Sequence, residues 1–143
     1  MNPLKLLFVC TGNSARSQMA EGWARALAPA GVEVHSAGTH PMGVNPVAVA
    51  VMQERGMDIG TQRSKSLAEV PAEADYVIAL CAEADAACPS LPARRQRLAW
   101  HLPDPVSAGE EEAQRQAFRA ARDEIEQRVR ALFASAPFAP PRA

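Results

Sequence analysis

A short loop between a predicted strand and a predicted helix constrains this chain most strongly. The apolar run from Leu4 to Val9 is followed by the octet Cys-Thr-Gly-Asn-Ser-Ala-Arg-Ser, which begins at Cys10 and ends at Ser17. The backbone N–H groups of such a loop can surround one tetrahedral anion, and the positive end of the following helix points into the same space. The pattern therefore predicts an oxyanion-binding loop at a strand-to-helix turn.

The residue types in this loop indicate nucleophilic chemistry. The partial charges that attract an anion also stabilise a thiolate, so Cys10 is predicted to be a nucleophile. Arg16 can donate two hydrogen bonds to an oxyanion, and Gly12 and Asn13 suit a loop that needs positive φ angles. The alternative is a buried strand-end cysteine followed by a surface arginine. The strand, loop and helix context favours the chemical interpretation.

Strands and helices alternate along the chain. Hydrophobic patterns and turn residues predict strands at 4–9, 32–37, 76–80 and 97–100, and helices at about 14–28, 45–55 and 110–133. This alternation predicts a single α/β domain with a parallel sheet covered on both faces. We assign residues 1–133 to that domain. The remaining residues, 134–143, contain three prolines and are expected to form a flexible tail.

Composition and charge exclude several classes of function. The chain has 143 residues and a net charge of −1, which predicts no general attraction to nucleic acid or membranes. No stretch approaches the roughly 20 apolar residues of a membrane span, and a cytoplasmic protein is expected. The three cysteines then indicate chemistry rather than a disulfide framework, and their spacing does not suggest a metal site. The charges of the last helix, Arg122 among them, are expected to form a solvated face.

Three candidate reactive residues follow three predicted strands. Ligands of parallel α/β sheets bind beyond the carboxyl ends of the strands. Cys10, Cys81 and Asp104 each come after such an end, so we expect them to converge at one edge of the sheet. Asp104 is the candidate general acid, although an Asp-Pro pair is also a common turn former.

Cys81 and Cys88 are separated by seven positions in an alanine-rich stretch. If this stretch is helical, their Cα atoms lie about 10 Å apart, beyond the roughly 7 Å that a disulfide spans. A disulfide between them would therefore require the helix to unwind. Two buried structural thiols are the alternative interpretation.

The motifs together resemble the low-molecular-weight protein tyrosine phosphatase superfamily. The resemblance rests on the octet at Cys10, on Ser36-Ala37-Gly38 and on Asp104-Pro105. Within that superfamily, residues 17–23, 43–46, 81–89 and 122–125 are similar to thioredoxin-coupled arsenate reductases. The resemblance implies a three-layer α/β/α fold with a four-stranded parallel sheet in the flavodoxin-like order 2-1-3-4.

The resemblance also implies a role for each site residue. Cys10 would attack arsenate, Asp104 would protonate the leaving oxygen, and phosphate would compete as a ligand. Cys81 would then attack Cys10, Cys88 would take over the disulfide, and thioredoxin would reduce it. Ser17 would hydrogen-bond to the sulfur, and Asn13 and Ser36 would brace the loop. The implied substrate-binding residues are Thr11, Gly12, Asn13, Ser14, Ala15, Arg16 and Ser17.

Two features depart from the pattern of relatives. Phosphatases of this superfamily carry aromatic residues after Asp-Pro, whereas this chain has Val106 and Ser107. A phosphatase is therefore the second interpretation, followed by a non-catalytic oxyanion-binding or phosphocarrier module. Some reductases bind potassium beside an acidic residue at the position of Lys65. A cation there argues against a potassium site, and no tightly bound cofactor is expected.

Overall fold

The computed structural model describes residues 4–71, 73–82, 92–135 and 137–138, within which four parallel strands form one sheet. The strands are β1 Leu4–Cys10, β2 Val32–Gly38, β3 Ala74–Ala79 and β4 Ala93–Ala99. The helices are α1 Arg16–Leu27, α2 Pro46–Gln53 and α3 Glu111–Phe133. The sheet order β2-β1-β3-β4 confirms the expected fold class. Within the described ranges, no helix has the length and apolar character needed to cross a membrane.

The sheet is buried on both faces because β1 and β3 consist almost entirely of apolar residues. On one face, Phe8 and Ile78 pack in a core that includes Met19 and Trp23 of α1 and Phe118 of α3. On the other face, residues of β1, β2 and β3 form a smaller cluster, against which Leu67 packs. Its members are Leu7, Val9, Ala37, Ala74, Val77 and Ala79. The continuous apolar run of β1 therefore has the burial that its sequence predicted.

Strand β4 begins four residues earlier than predicted, at Ala93 rather than Arg97. Its first half contains Arg94 and Arg95. Because both side chains are charged and exposed, this half lacks the apolar pattern by which a strand is predicted from sequence. They are accommodated because β4 pairs only with β3 and because acidic residues face them. Arg94 pairs with Glu73, and Arg95 lies 3.9 Å from Asp75.

Arg122 contradicts the expected solvated face of α3. Its side chain is only 9% exposed, and its guanidinium donates to the Val51 carbonyl at 2.9 Å and to Glu54 at 2.8 Å. Arg119 donates to the same Glu54 carboxylate at 2.7 Å. These bonds join the C-terminal end of α2 to the middle of α3, so Arg122 joins two helices rather than facing solvent.

Part of the segment expected to be a flexible tail is packed. Phe138 is buried against the rings of Tyr76 and Phe133, at centroid distances of 5.1 and 5.3 Å. Burial of the aromatic ring stabilises this position, despite the flexibility that we expected from the prolines of the segment. The expectation of a flexible tail is therefore wrong at Phe138, while the domain boundary at residue 133 stays a prediction.

Glu54 gives a test of the α2–α3 connection. Hydrogen bonds from Arg119, and then from Arg122, lower the pKa of its carboxyl from 4.5 to about 2. Because the folded-state pKa is lower, the stabilisation is present above pH 4.5 and is lost as the pH falls toward 2. We expect Glu54→Gln to lower Tm at pH 7, and we expect the difference from wild type to shrink through that acid range. Thermal unfolding followed by circular dichroism measures this.

Glu111→Gln is the matched control, because Glu111 is exposed and its nearest cation, Arg115, is 3.9 Å away. It should leave Tm within about a degree of wild type at each pH, as is usual for exposed surface positions. A Glu54→Gln difference that stays constant from pH 7 to pH 2 would contradict the assignment.

Candidate active site

Three strand ends meet at the loop that begins with Cys10. Cys10 is the last residue of β1, and α1 begins at Arg16. Beyond β3, the Leu80 N–H donates to the Val9 carbonyl at 2.9 Å, and Cys81 follows directly. Beyond β4, the Leu102 N–H donates to the Leu80 carbonyl at 3.0 Å. The predicted convergence at one sheet edge therefore holds for the segments carrying Cys10, Cys81 and Asp104.

The carbonyl groups of the loop are bound by a neighbouring stretch of chain, which we call the outer segment (residues 39–45). Its backbone N–H groups donate to the carbonyls of Thr11, Gly12 and Ser14 at 2.8 to 2.9 Å. A trans peptide unit has its C=O and the next N–H on opposite sides. Carbonyls held toward the outer segment therefore turn the following amides toward the centre of the loop, as an oxyanion site requires.

Gly38 lets β2 approach the loop closely enough to take part in this arrangement. A Cβ at this position would lie 2.6 Å from the Thr11 carbonyl oxygen and 2.7 Å from the Asn13 nitrogen. Real side chains do not tolerate such contacts, and the atoms in the way are backbone. Any other residue at position 38 would therefore displace the loop.

Asn13 carries the unusual backbone conformation that the sequence predicted, with a φ of 43°. Its side-chain amide donates to the hydroxyls of Ser17 and Ser36, at 2.7 and 2.9 Å. Its Oδ1 accepts from the Gln18 side chain at 2.9 Å and from the Lys65 N–H at 2.8 Å. All of the hydrogen-bonding capacity of this amide is used, which stabilises the left-handed conformation.

Gly12 does not share that conformation, so the expectation of a positive φ there is wrong. The small size of Gly12 has a different explanation. A Cβ on Gly12 would lie 3.2 Å from Sδ of Met42, a residue of the outer segment. The Met42 side chain approaches closely enough to explain a glycine at position 12, whereas a positive φ does not.

Ser17 touches the sulfur of Cys10, with its Oγ 2.9 Å from Sγ. The same hydroxyl oxygen accepts a hydrogen bond from Asn13, which leaves its hydrogen available to the sulfur. The Ser17 hydroxyl is therefore a hydrogen-bond donor placed on the sulfur of the predicted nucleophile. The geometry suits a nucleophilic Cys10.

Cys81 lies beside the loop, and it is 1% exposed. Its Sγ is 3.4 Å from Oγ1 of Thr11, the residue next to Cys10 in the chain. Cys10 and Cys81 are both free thiols in the structure. Cys88, predicted to be the third cysteine of the site, lies outside the described residues.

Arg16 and Asp104 line one cleft with Cys10, with a volume of about 780 Å³. The Arg16 guanidinium donates to the Leu102 carbonyl at 2.7 Å, which ties the loop to the segment that carries Asp104. The Asp104 carboxylate is exposed and accepts from the Val106 N–H at 3.0 Å. Asp104 therefore caps a turn and also lines the cleft, and its role as the general acid stays a prediction.

Two glutamines behind the loop were not predicted. Gln18 is fully buried and donates to the Asn13 backbone carbonyl at 3.0 Å as well as to its side chain. Gln62 donates to Oε1 of Gln18 at 2.8 Å, which orients that amide. The available signal was a run of polar residues, Ser17, Gln18 and Glu21, in a helix that must pack against a buried strand.

The chain was compared with known proteins. The family model described as low molecular weight phosphotyrosine protein phosphatase matches residues 5–137. An arsenate reductase of Halalkalibacterium halodurans is 43% identical over 132 residues, which cover 91% of this chain and 95% of that protein.

Solved structures show the same similarity. An arsenate reductase in the phosphate-binding state superposes with a TM-score of 0.79 at 35% identity, covering 92% of this chain and 97% of that chain. A thioredoxin-dependent arsenate reductase of Corynebacterium glutamicum has a TM-score of 0.69 at 30% identity, covering 92% of this chain and 61% of the other. Because the family model matches residues 5–137 of this chain, the chain belongs to the low molecular weight phosphotyrosine protein phosphatase family.

Proposed function

We propose that this protein reduces arsenate to arsenite, with Cys10 as the nucleophile and Cys81 as the thiol that resolves the adduct. The observation that carries the proposal is the 3.4 Å contact between Sγ of Cys81 and Oγ1 of Thr11. Hydrolysis of a phosphate ester needs one thiol, whereas a two-electron reduction needs a second thiol close to the first. The arsenate reductases among its relatives support this choice.

The first step forms a covalent adduct on Cys10. The thiolate attacks arsenic, an S–As bond forms, and one As–O bond breaks. Asp104 donates a proton to the departing oxygen, which leaves as water. Arg16 and the inward amides of the loop hold the remaining oxygens and stabilise their charge.

The second step transfers the electrons. The Cys81 thiolate attacks Sγ of Cys10, an S–S bond forms, and the S–As bond breaks with its electron pair going to arsenic. Arsenic is thereby reduced from the +5 to the +3 state and leaves as arsenite, while the two thiols are oxidised to a disulfide. The contact with Thr11 keeps Cys81 beside the loop where this attack occurs.

The third step moves the disulfide away from the loop. Cys88 attacks Cys81, and Cys10 leaves as a thiolate ready for another arsenate. A dithiol protein of the thioredoxin type then reduces the Cys81–Cys88 disulfide, in line with the thioredoxin-dependent relative. A cycle that must regenerate three free thiols requires a reducing compartment, so the proposal assigns the protein to the cytoplasm.

A phosphatase activity at the same cleft is the second candidate function. Cys10, Arg16 and Asp104 line one cavity, and the family is described as a phosphotyrosine protein phosphatase family. Phosphate and arsenate have the same tetrahedral shape. Ester hydrolysis through a phosphocysteine would not need Cys81, which allows the two activities to be separated by mutation.

Asp104→Asn tests the general acid. Asparagine keeps an oxygen that can accept from the Val106 N–H but cannot donate an acidic proton. We expect the single-turnover rate of arsenite formation to fall by about 10²- to 10⁴-fold, with phosphate binding nearly unchanged. Rapid-quench measurement of arsenite release checks this.

Ser107→Ala is the matched control, because the Ser107 hydroxyl contacts the other carboxylate oxygen of Asp104 at 3.4 Å. It weakens the turn without removing the acid and should retain a rate within about threefold of wild type, as is usual for exposed sites. A normal single-turnover rate in Asp104→Asn would restrict Asp104 to its role in the turn.

Variants of the two other cysteines test the disulfide steps. After one arsenate turnover without reductant, mass spectrometry should find a Cys81–Cys88 disulfide in the wild type and a Cys10–Cys81 disulfide in Cys88→Ser. Cys81→Ser should lose thioredoxin-linked turnover and keep phosphatase activity. Full thioredoxin-dependent arsenate reduction by Cys81→Ser would rule out the mechanism.

Potassium should have no effect on the reaction. We propose that no potassium site exists beside Glu21, because the Lys65 ammonium lies 3.3 Å from its Oε1 and supplies the positive charge there. We expect kcat to change less than about twofold when potassium is replaced by choline at constant ionic strength, since the local charge is unchanged. A several-fold activation specific to potassium in steady-state assays would contradict this.

A further inference from the structure

A buried ion pair lies behind the loop, outside the cleft that contains Cys10. The Glu21 side chain is 3% exposed, and Nζ of Lys65, itself 13% exposed, lies 3.3 Å from its Oε1. Nζ also donates to the Arg63 carbonyl at 2.6 Å. Removing one member of a buried pair leaves an uncompensated charge, which is strongly unfavourable. The Lys65 ammonium therefore supports the buried position of the Glu21 carboxylate.

Hydrogen bonds connect this carboxylate to the sulfur of Cys10. The Ser36 hydroxyl donates to Oε1 of Glu21 at 2.5 Å and accepts from the Asn13 side-chain amide at 2.9 Å. The second hydrogen of that amide goes to the Ser17 hydroxyl at 2.7 Å, and this hydroxyl lies 2.9 Å from Sγ of Cys10. The carboxylate thus fixes the direction of the Ser36 hydroxyl, and that hydroxyl fixes one end of the Asn13 amide.

Lys65 also holds the other end of the same amide. Its backbone N–H donates to Oδ1 of Asn13 at 2.8 Å, and its carbonyl accepts from the Gly38 N–H at 2.8 Å. Backbone and side chain of Lys65 therefore close a ring through Glu21, Ser36 and Asn13. The residue with the left-handed backbone lies in that ring, so its side chain cannot turn without breaking several bonds.

We propose that Lys65 is a positioning residue for Cys10. Its ammonium group holds the Glu21 carboxylate in place through the contact with Oε1. Through Ser36 and Asn13, the carboxylate then holds Ser17 where its hydroxyl donates to the sulfur. Arg25 also contacts Glu21, but its side chain is 55% exposed and binds the other oxygen, Oε2, at 3.0 Å. Within the described residues, Lys65 is the cation that contacts Oε1, the oxygen that accepts from Ser36.

The test is Lys65→Met, which removes the ammonium and keeps an unbranched apolar side chain about as long as the methylene stem of lysine. We expect iodoacetamide to alkylate Cys10 about three- to tenfold more slowly than in wild type, a range typical of residues coupled through one hydrogen-bond network. Lys65→Arg should recover at least half of the lost rate. Ammonium ions, which can enter between Glu21 and the Arg63 carbonyl, should also restore it, and the bulkier tetramethylammonium should not. Peptide mapping identifies the labelled cysteine.

Lys5→Met is the matched control, because Lys5 is the other lysine of the chain. It removes the same charge at a strand position outside the hydrogen-bonded ring and should leave the alkylation rate within about twofold of wild type, as expected for a distant site.

A double-mutant cycle separates positioning from a general loss of stability. In a Glu21→Gln background the ammonium no longer has a carboxylate to neutralise, so adding Lys65→Met should change the alkylation rate less than about twofold. If Lys65→Met alone does not fold, the double variant is measured instead, because it lacks both charges. Its alkylation rate should then equal that of Glu21→Gln. Additive effects, or an unchanged alkylation rate in a folded Lys65→Met, would overturn the proposal.

The role of Lys65 in arsenate turnover rests on the proposed function, whereas its effect on the alkylation of Cys10 does not. In the arsenate assay, kcat of Lys65→Met should fall by the same factor as alkylation. If the wild type does not reduce arsenate, the proposed function fails, while the alkylation results still decide the role of Lys65.

Discussion

The side-chain amide of Asn13 is the interaction on which the site most depends. It makes four hydrogen bonds, to Ser17, Ser36, Gln18 and the backbone of Lys65, and so joins α1, β2 and the chain after α2 to one turn of the loop. Its backbone adopts a φ of 43°, which few residue types other than glycine accept readily. The network offsets that cost because it satisfies every polar atom of the amide.

Much of the fold could be predicted because the buried faces of its strands and helices carry apolar residues at regular spacing. The apolar run of β1 and the spaced apolar residues of α3 have simple periodicities, and the structure has both elements. The start of β4 could not be found in this way, because Arg94 and Arg95 lie on an exposed edge strand and are accommodated by acidic residues distant in sequence. The burial of Arg122 was not predicted for a similar reason, because its partner Glu54 lies at the C-terminal end of another helix, α2.

Local chemistry made the loop predictable, whereas its support depends on tertiary contacts. Cys10, Arg16 and the left-handed Asn13 follow from residue types in one octet. The explanation for Gly12 was wrong, because the constraint is the side chain of Met42, thirty positions away. Gln18 and Gln62 gave no motif at all, since Gln18 is explained by its bonds to Asn13, and Gln62 by its bonds to Gln18.

Burial divides the polar groups of the site into two sets with different tasks. Behind the loop, Asn13, Gln18, Ser36 and Glu21 are bound to protein partners that no ligand needs to displace. In front, the inward amides, Arg16 and Asp104 face the cleft. Because this network is fully bonded within the protein, it can hold the loop in one conformation without a ligand. Rigidity behind the loop therefore contributes to the chemistry in front, although none of those buried groups reaches the substrate.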